Sequence, residues 1–258
     1  MLVIKRSLIL SAVTLLVIGS PVHAQDSDFN RATGVVKGDV IQKTSANSSH
    51  TISAIGSSYS ETGRGKTDAT AYIGGDLVIE NTASARSDMA TLIGSIDTRA
   101  SNPDIFASAS IEKNVHVKNS GAEAVVYTEL GSVNSARMQG LDAASGGIAS
   151  QTAKTHIEGS VDVNNSGREA YVQTMSGSIA AASNNSGLLA SSNIGGDLVV
   201  SNTGDKAIVI TEIGSIDGTS SGNGKFKDAT ARADIKGSVI HKNTASNTRS
   251  SVLIGSLR

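Results

Sequence analysis

One pattern, written six times along the chain, constrains its fold more than any other feature. A Gly-Asp or Gly-Ser pair is followed by Val or Leu, with Asn six residues beyond the Gly. It reads Gly38-Asp39-Val40 to Thr44, Gly75-Asp76-Leu77 to Asn81, Lys113-Asn114-Val115 to Asn119, Gly159-Ser160-Val161 to Asn165, Gly196-Asp197-Leu198 to Asn202 and Gly237-Ser238-Val239 to Asn243. Successive anchors lie 37, 38, 46, 37 and 41 residues apart. A second anchor, Gly-Ser among aliphatics, falls at Gly56, Gly94, Gly131, Gly177, Gly214 and Gly255, 18 or 19 residues after the first. The distance within a unit is nearly constant, so length variation collects after the Gly-Ser. Repeats of this length are the mark of stacked architectures.

The period inside the unit selects strand over helix. Residues two apart around the fifth anchor read Ala190, Ser192, Ile194, Gly196, Leu198, Val200 and Asn202, and the second and sixth copies follow suit. The intervening positions are mostly polar, which is alternation at period two. Asn-Ser-Gly or Asn-Thr-Gly at 119–121, 165–167 and 202–204 then predicts a turn, with Gly supplying positive φ. Alternation resumes at Ala207, Val209, Thr211 and at Ala124, Val126, Thr128. The expected unit is strand, turn, strand and variable loop. Aromatics make up only 3% of the chain and Cys is absent, so neither large anchors nor disulfides hold it together. The predicted fold is all-β, a β-solenoid of six imperfect strand-turn-strand repeats of about 37–46 residues over residues 32–258.

In such a stack, like residues lie above like, about 4.8 Å apart. The column Thr44, Asn81, Asn119, Asn165, Asn202 and Asn243 continues the inward face. There each amide needs a partner, and a ladder of stacked Asn supplies one. The same residues also suit the start of a turn, and the two roles can coexist. The glycines at Gly38, Gly75, Gly159, Gly196 and Gly237 suggest a bend or a close approach of backbones.

Residues 1–24 read as a secretory signal: Lys5 and Arg6, an apolar run from Leu8 to Ile18, and a Val22-His23-Ala24 cleavage site. That run is too short for a comfortable membrane span, and no other segment approaches one. Cleavage would leave a short segment, 25–31, before the repeats, and no membrane span in the mature chain. With Lys5 and Arg6 gone, 20 basic side chains face 23 acidic ones, too weak a balance to steer nucleic acid. The expected location is outside a bacterial cell, reached through the periplasm.

Catalytic patterns fail on inspection. Gly65-Lys66-Thr67 resembles the end of a phosphate loop, but Ser60 stands where the earlier Gly is required. Gly218-Thr219-Ser220-Ser221-Gly222 has nucleophile-elbow spacing without a following helix. His50, His116, His156 and His241 include no pair at metal-ligand spacing, and His241 takes an aliphatic position of the repeat. Asp39, Asp76 and Asp197 recur at one repeat position, as solvating or Ca²⁺-binding groups would. No enzyme, cofactor or metal site is expected.

Neither terminal repeat shows a helix, a Pro or a charged cap, so an open head-to-tail stack is expected. Strand-turn-strand repeats rich in Gly, Asn, Ser and Ala, a signal sequence and the absence of Cys resemble the curlin-type fibre subunits of bacterial biofilms. The segments Asn119 to Ala124 and Asn202 to Ala207 are loosely similar to that family's turns, whereas its regular Gln ladder is missing: Gln42, Gln139, Gln151 and Gln173 share no register. The resemblance implies export as an unfolded chain, assembly at the cell surface and a role in adhesion or matrix. The reading is a secreted structural protein that self-assembles through uncapped solenoid edges, partnered by itself and by a dedicated secretion or nucleation factor. The alternative is a cell-surface adhesin that binds a receptor or glycan through loops at Ser58 to Lys66, Asp97 to Phe106, Val133 to Ser150 and Asp217 to Lys227. A solenoid polysaccharide hydrolase or lyase is the third reading.

Overall fold

Six copies of a strand pattern with an apolar column can bury that column only against one another. The computed structural model describes residues 17–18, 29–60, 66–98, 104–134, 150–182, 186–218 and 228–257, and all its regular elements there are strands. They form a parallel β-solenoid. Each rung opens with a long first strand: Phe29–Val36, Lys66–Ile73, Asp104–Ile111, Ser150–Ile157, Ser186–Ile194 or Asp228–Ile235. The second strand is Val40–Thr44, Leu77–Asn81, Val115–Asn119, Val161–Asn165, Leu198–Asn202 or Val239–Asn243. The third is Ser49–Ile55, Ser87–Ile93, Val125–Leu130, Tyr171–Ser176, Ile208–Ile213 or Arg249–Ile254. A short fourth strand completes the first five rungs: Ser58–Ser60, Ile96–Thr98, Val133–Asn134, Ile179–Ala182 and Ile216–Gly218. In the sixth, Leu257 makes one parallel bridge to Ile216.

Like strands stack in register into sheets of six, six, seven and five strands, in the order of the strands along a rung. Val40, Leu77, Val115, Val161, Leu198 and Val239 form one column, and Thr44, Asn81, Asn119, Asn165, Asn202 and Asn243 another. The third sheet owes its seventh strand to Val17–Ile18, which pairs in parallel with Ala54 and Ile55.

The repeat therefore has four strands where alternation predicts two. The inward column runs through the first corner without losing phase: Ala71, Ile73, Gly75, Leu77 and Ile79 are all buried. A bend that preserves the in-out phase leaves no mark on a period-two pattern. A Cβ on Gly75 would collide with Asp39 Oδ1 and stand 2.6 Å from the Gly38 carbonyl carbon, so this glycine serves close stacking.

Two apolar cores fill the cross-section. The larger lies among the first three sheets, with Ile73, Leu77, Ile79, Met89 and Ile93 in one rung. The smaller packs Ile96, Val133, Ile179 and Ile216 of the fourth strands against Ala69, Ala107, Ala153 and Ala190. The Gly-Ser corner divides them. Gly56, Gly94, Gly131, Gly177, Gly214 and Gly255 all have φ between 52° and 58°. A Cβ on Gly94 would overlap Ser108 O. No other residue combines that conformation with that proximity. The facing column is small: Gly34, Ala71, Ala109, Thr155, Ser192 and Ala233.

The turn after the Asn column departs from expectation. Positive φ falls at Ser48, Arg86, Glu123, Glu169, Lys206 and Asn247, between 39° and 56°, rather than at Gly121, Gly167 or Gly204. These glycines are needed for space instead: a Cβ on Gly167 would lie 2.6 Å from Asn119 Nδ2 and overlap Gly121 O.

Candidate self-association surface at the ends of the solenoid

Three side-chain ladders run along the stack, each built from a polar residue that the repeat places at a corner. In the first, Asn81 Nδ2 donates to Asn119 Oδ1 at 2.7 Å, Asn119 to Asn165 at 2.7 Å, Asn165 to Asn202 at 2.8 Å and Asn202 to Asn243 at 3.0 Å. Each Oδ1 from Asn81 to Asn202 also accepts the backbone N–H two residues on, from Ala83, Gly121, Gly167 and Gly204. One amide thus makes both the ladder and the turn. Asn81, Asn119, Asn165 and Asn202 are fully buried. Thr44, in the first rung, instead pairs its hydroxyl with Ser49 at 3.1 Å.

The second ladder holds the aspartates. Asp39 Oδ1 accepts the N–H of Asp76, Asp76 Oδ1 that of Asn114, Asn114 Oδ1 that of Ser160, Ser160 Oγ that of Asp197, and Asp197 Oδ1 that of Ser238, at 2.6–3.0 Å. The backbone bond from Asn114 holds the Asp76 carboxyl below its ordinary range. Asp39, Asp76 and Asp197 therefore brace the next rung. The third ladder is serine alone: Ser57, Ser95, Ser132, Ser178 and Ser215 Oγ accept N–H groups from Ser95, Ser132, Ser178, Ser215 and Ser256 at 3.1–3.4 Å. Repetition of a Ser after each corner glycine was visible in the sequence; its bond to the following rung was not.

All three ladders point the same way, so the last described rung has their unused ends. Ser238 Oγ and Ser256 Oγ occupy acceptor positions, and among the described residues no further rung lies above them. Asn243 Nδ2 occupies the donor position, while its Oδ1 takes Asn202 Nδ2 and the Thr248 hydroxyl. Backbone polarity continues too. Leu77 and Leu198 donate their N–H groups forward, to Asn114 O and Ser238 O. Val239 and His241 hold the corresponding places on the last rung, so their N–H groups point out of its edge. The His241 side chain bonds Ser250 Oγ at 2.7 Å.

The two ends differ in exposure. On the last rung Val239 is 48%, Ile240 38%, Ile254 37% and Leu257 49% exposed. On the first rung the inward Val40, Gln42, Thr44 and Ile55 are at most 9% exposed, whereas the outward Val35 and Ile41 are 54% and 60% exposed, and Val17–Ile18 occupies the edge of its third strand. The sequence reading expected both edges bare; the first rung carries this extra strand.

The remaining candidates are dispersed. His50 and His116 sit on the outer faces of different sheets, 3.7 Å from Asp88 and 4.0 Å from Asp162. His156 lies 4.0 Å from Glu158. Lys66 and Thr67 begin a first strand and Gly218 ends a fourth, while Gly65 and 219–222 lie outside the described residues. Among the described residues no three His, Asp or Glu side chains converge as a metal site. A shallow depression of about 220 Å³ on the second sheet is lined by Val78, Glu80, His116, Lys118 and Asp162. Its charges are already matched across rungs, Lys118 to Glu80 at 3.6 Å and His116 to Asp162 at 4.0 Å.

No family model, no curated protein and no solved structure matches this chain. What the structure bears out is the repeating β-solenoid architecture; no match supports the curlin-type family in particular.

Proposed function

We propose that this is a secreted structural protein whose copies stack end to end into extracellular fibres or a surface layer. The observation that carries the reading is the last rung. It presents unused ladder groups, outward N–H groups and exposed Val239, Ile240, Ile254 and Leu257 in the register that joins each internal rung to the next. A second copy set on that edge would give Ser238 Oγ the N–H of Asp39, Ser256 Oγ that of Ser57, and Asn243 Nδ2 the Thr44 hydroxyl.

Val17–Ile18 lies where such a copy must dock. Residues 1–24 have the features of a cleaved leader, and cleavage after Ala24 would clear that edge. Export would thereby couple to assembly competence.

The test is to recover the exported protein, read its N-terminus by mass, and follow it by electron microscopy and seeded light scattering. Filaments whose lag shortens on seeding support the proposal; a folded monomer at every concentration overturns it. The second reading, a surface adhesin, is favoured by one feature: the length-variable segments between 60 and 66, 98 and 104, 134 and 150, 182 and 186, and 218 and 228 all join a fourth strand to the next first strand. The strand ends they join are thus aligned along one side of the solenoid, where a set of binding loops would be anchored.

A further inference from the structure

Several charges on the outer faces are matched between neighbouring rungs, although Glu112 also stacks next to Glu158 and Asp39 next to Asp76. Arg31 faces Asp68 at 3.8 Å, Lys43 faces Glu80 at 2.9 Å, Glu80 also meets Lys118 at 3.6 Å, and His50 faces Asp88 at 3.7 Å. Arg86 meets Glu123 at 3.0 Å and Lys206 meets Glu169 at 3.2 Å. The two end rungs carry basic side chains at positions that would meet. Register equates Lys43 with Lys242, and His50, a cation only when protonated, with Arg249. Lys37 and Lys236 correspond likewise: each directly follows the first strand, and Lys236 donates its N–H to Ile194 O as Gly74 does to Val36 O. All six side chains are exposed.

We propose that the end-to-end junction is a cationic seam, so that docking of a second copy is gated by ionic strength. This rests on the fibre reading above. At the junction Lys242 would stand one rung, about 4.8 Å, from Lys43. The single Glu80 carboxylate would then serve Lys43 and Lys118 with a third ammonium beside them. Among the described residues the acids nearest the seam are Asp39, whose Oδ1 already accepts the Asp76 N–H, Asp234, which register places over Val35, and Asp228, next to Ala229 in the Asn30 column. None is opposite a lysine. Like charges stacked across a β ladder oppose pairing, and exposed repulsion of this kind fades as the screening length falls from ~30 Å at 0.01 M salt to ~8 Å at 0.15 M. The inner face of the same edge is apolar and indifferent to salt. Ionic strength therefore sets whether the attraction of the core columns prevails over the seam.

The experiment measures seeded elongation of the exported protein, wild type and Lys242→Glu, at 10, 150 and 500 mM NaCl. Lys242 is exposed on the last rung, and circular dichroism checks that the variant folds. Wild-type elongation is expected to rise about tenfold from the lowest to the highest salt as screening takes hold. Lys242→Glu, which places a carboxylate over Lys43 as Glu80 does from the other side, is expected to elongate quickly at 10 mM and to lose that advantage at 500 mM. Wild-type growth that is flat or slower with salt, or a variant slower than wild type at 10 mM, overturns the seam while leaving the fibre reading intact. Folded monomers of both proteins at every salt overturn both.

Discussion

Asn119 donates from Nδ2 to Asn165 Oδ1 at 2.7 Å across one rung, and the same Asn165 passes a 2.8 Å bond on to Asn202. Removing the Asn165 side chain takes one bond each from the fully buried Asn119 and Asn202 and leaves the buried Gly167 N–H without its acceptor. Asn165→Ala should destabilise the fold by about 2–4 kcal/mol, the cost of orphaned buried amides. Asn243→Ala, at the exposed end of the ladder, should cost under about 1 kcal/mol. Urea unfolding of the two variants beside wild type checks the contrast; equal losses would mean that the ladder is not cooperative.

A second buried column runs against polar economy. Thr128, Thr174 and Thr211 stack inside the third sheet at zero exposure, and among the described residues their hydroxyls find no partner. Val252 occupies that column in the last rung. Thr174→Val should therefore raise stability by about 1 kcal/mol, since it removes an unsatisfied hydroxyl and keeps the shape. A lower unfolding midpoint in the same assay would show that the hydroxyl is satisfied in solution.

Gly94 combines φ of 58° with backbone at the place its Cβ would take. Gly94→Ala should lower stability by about 3 kcal/mol or more. Gly38→Ala, at a position with nothing within 4 Å of the added carbon, should be nearly silent. Thermal melts of the pair distinguish a repeat glycine needed for its corner from one that is not.

Burial, with the nearby Tyr127 and Glu212 adding to it, pushes the Tyr171 phenol up to about 12 from its ordinary value of 10.0. Folding thus favours the neutral phenol. That contribution is complete below pH 10 and disappears as the pH climbs through about 12. Stability of the wild type should fall across this interval, and Tyr171→Phe should fall less steeply. Phenolate absorbance should show a late-titrating component that disappears in Tyr171→Phe, apart from that of Tyr72, whose phenol the Glu112 carboxylate also holds up.

His241→Pro takes away an N–H that points out of the last described edge. Proline is tolerated where a strand's N–H faces solvent, so the monomer should fold with little loss beyond the His241 to Ser250 bond. Filament growth should stop, because an incoming Ile41 carbonyl meets the ring in place of a donor. Normal elongation by a folded His241→Pro protein would show that copies do not join at this edge.

The sequence by itself determined the columns. Six copies at regular spacing, with alternation at period two, specify which residues stack on which, because a one-residue slip would turn every apolar side chain to solvent. Hence the Ala-Ile-Leu-Val column, the Asn column and the corner glycines could be read without coordinates. Only the tertiary structure decided where the coil bends: the corner at Gly75 keeps the in-out phase and is silent in the pattern. It also decided that Glu123 and its equivalents, rather than the neighbouring glycines, adopt positive φ. The bonds that Asp39 and Ser57 accept from the next rung, and that Asn81 donates to it, depend on how one turn of chain lies on the next. That vertical relation joins residues a whole repeat apart, and spacing along the chain reveals their register but not the direction in which their side chains reach.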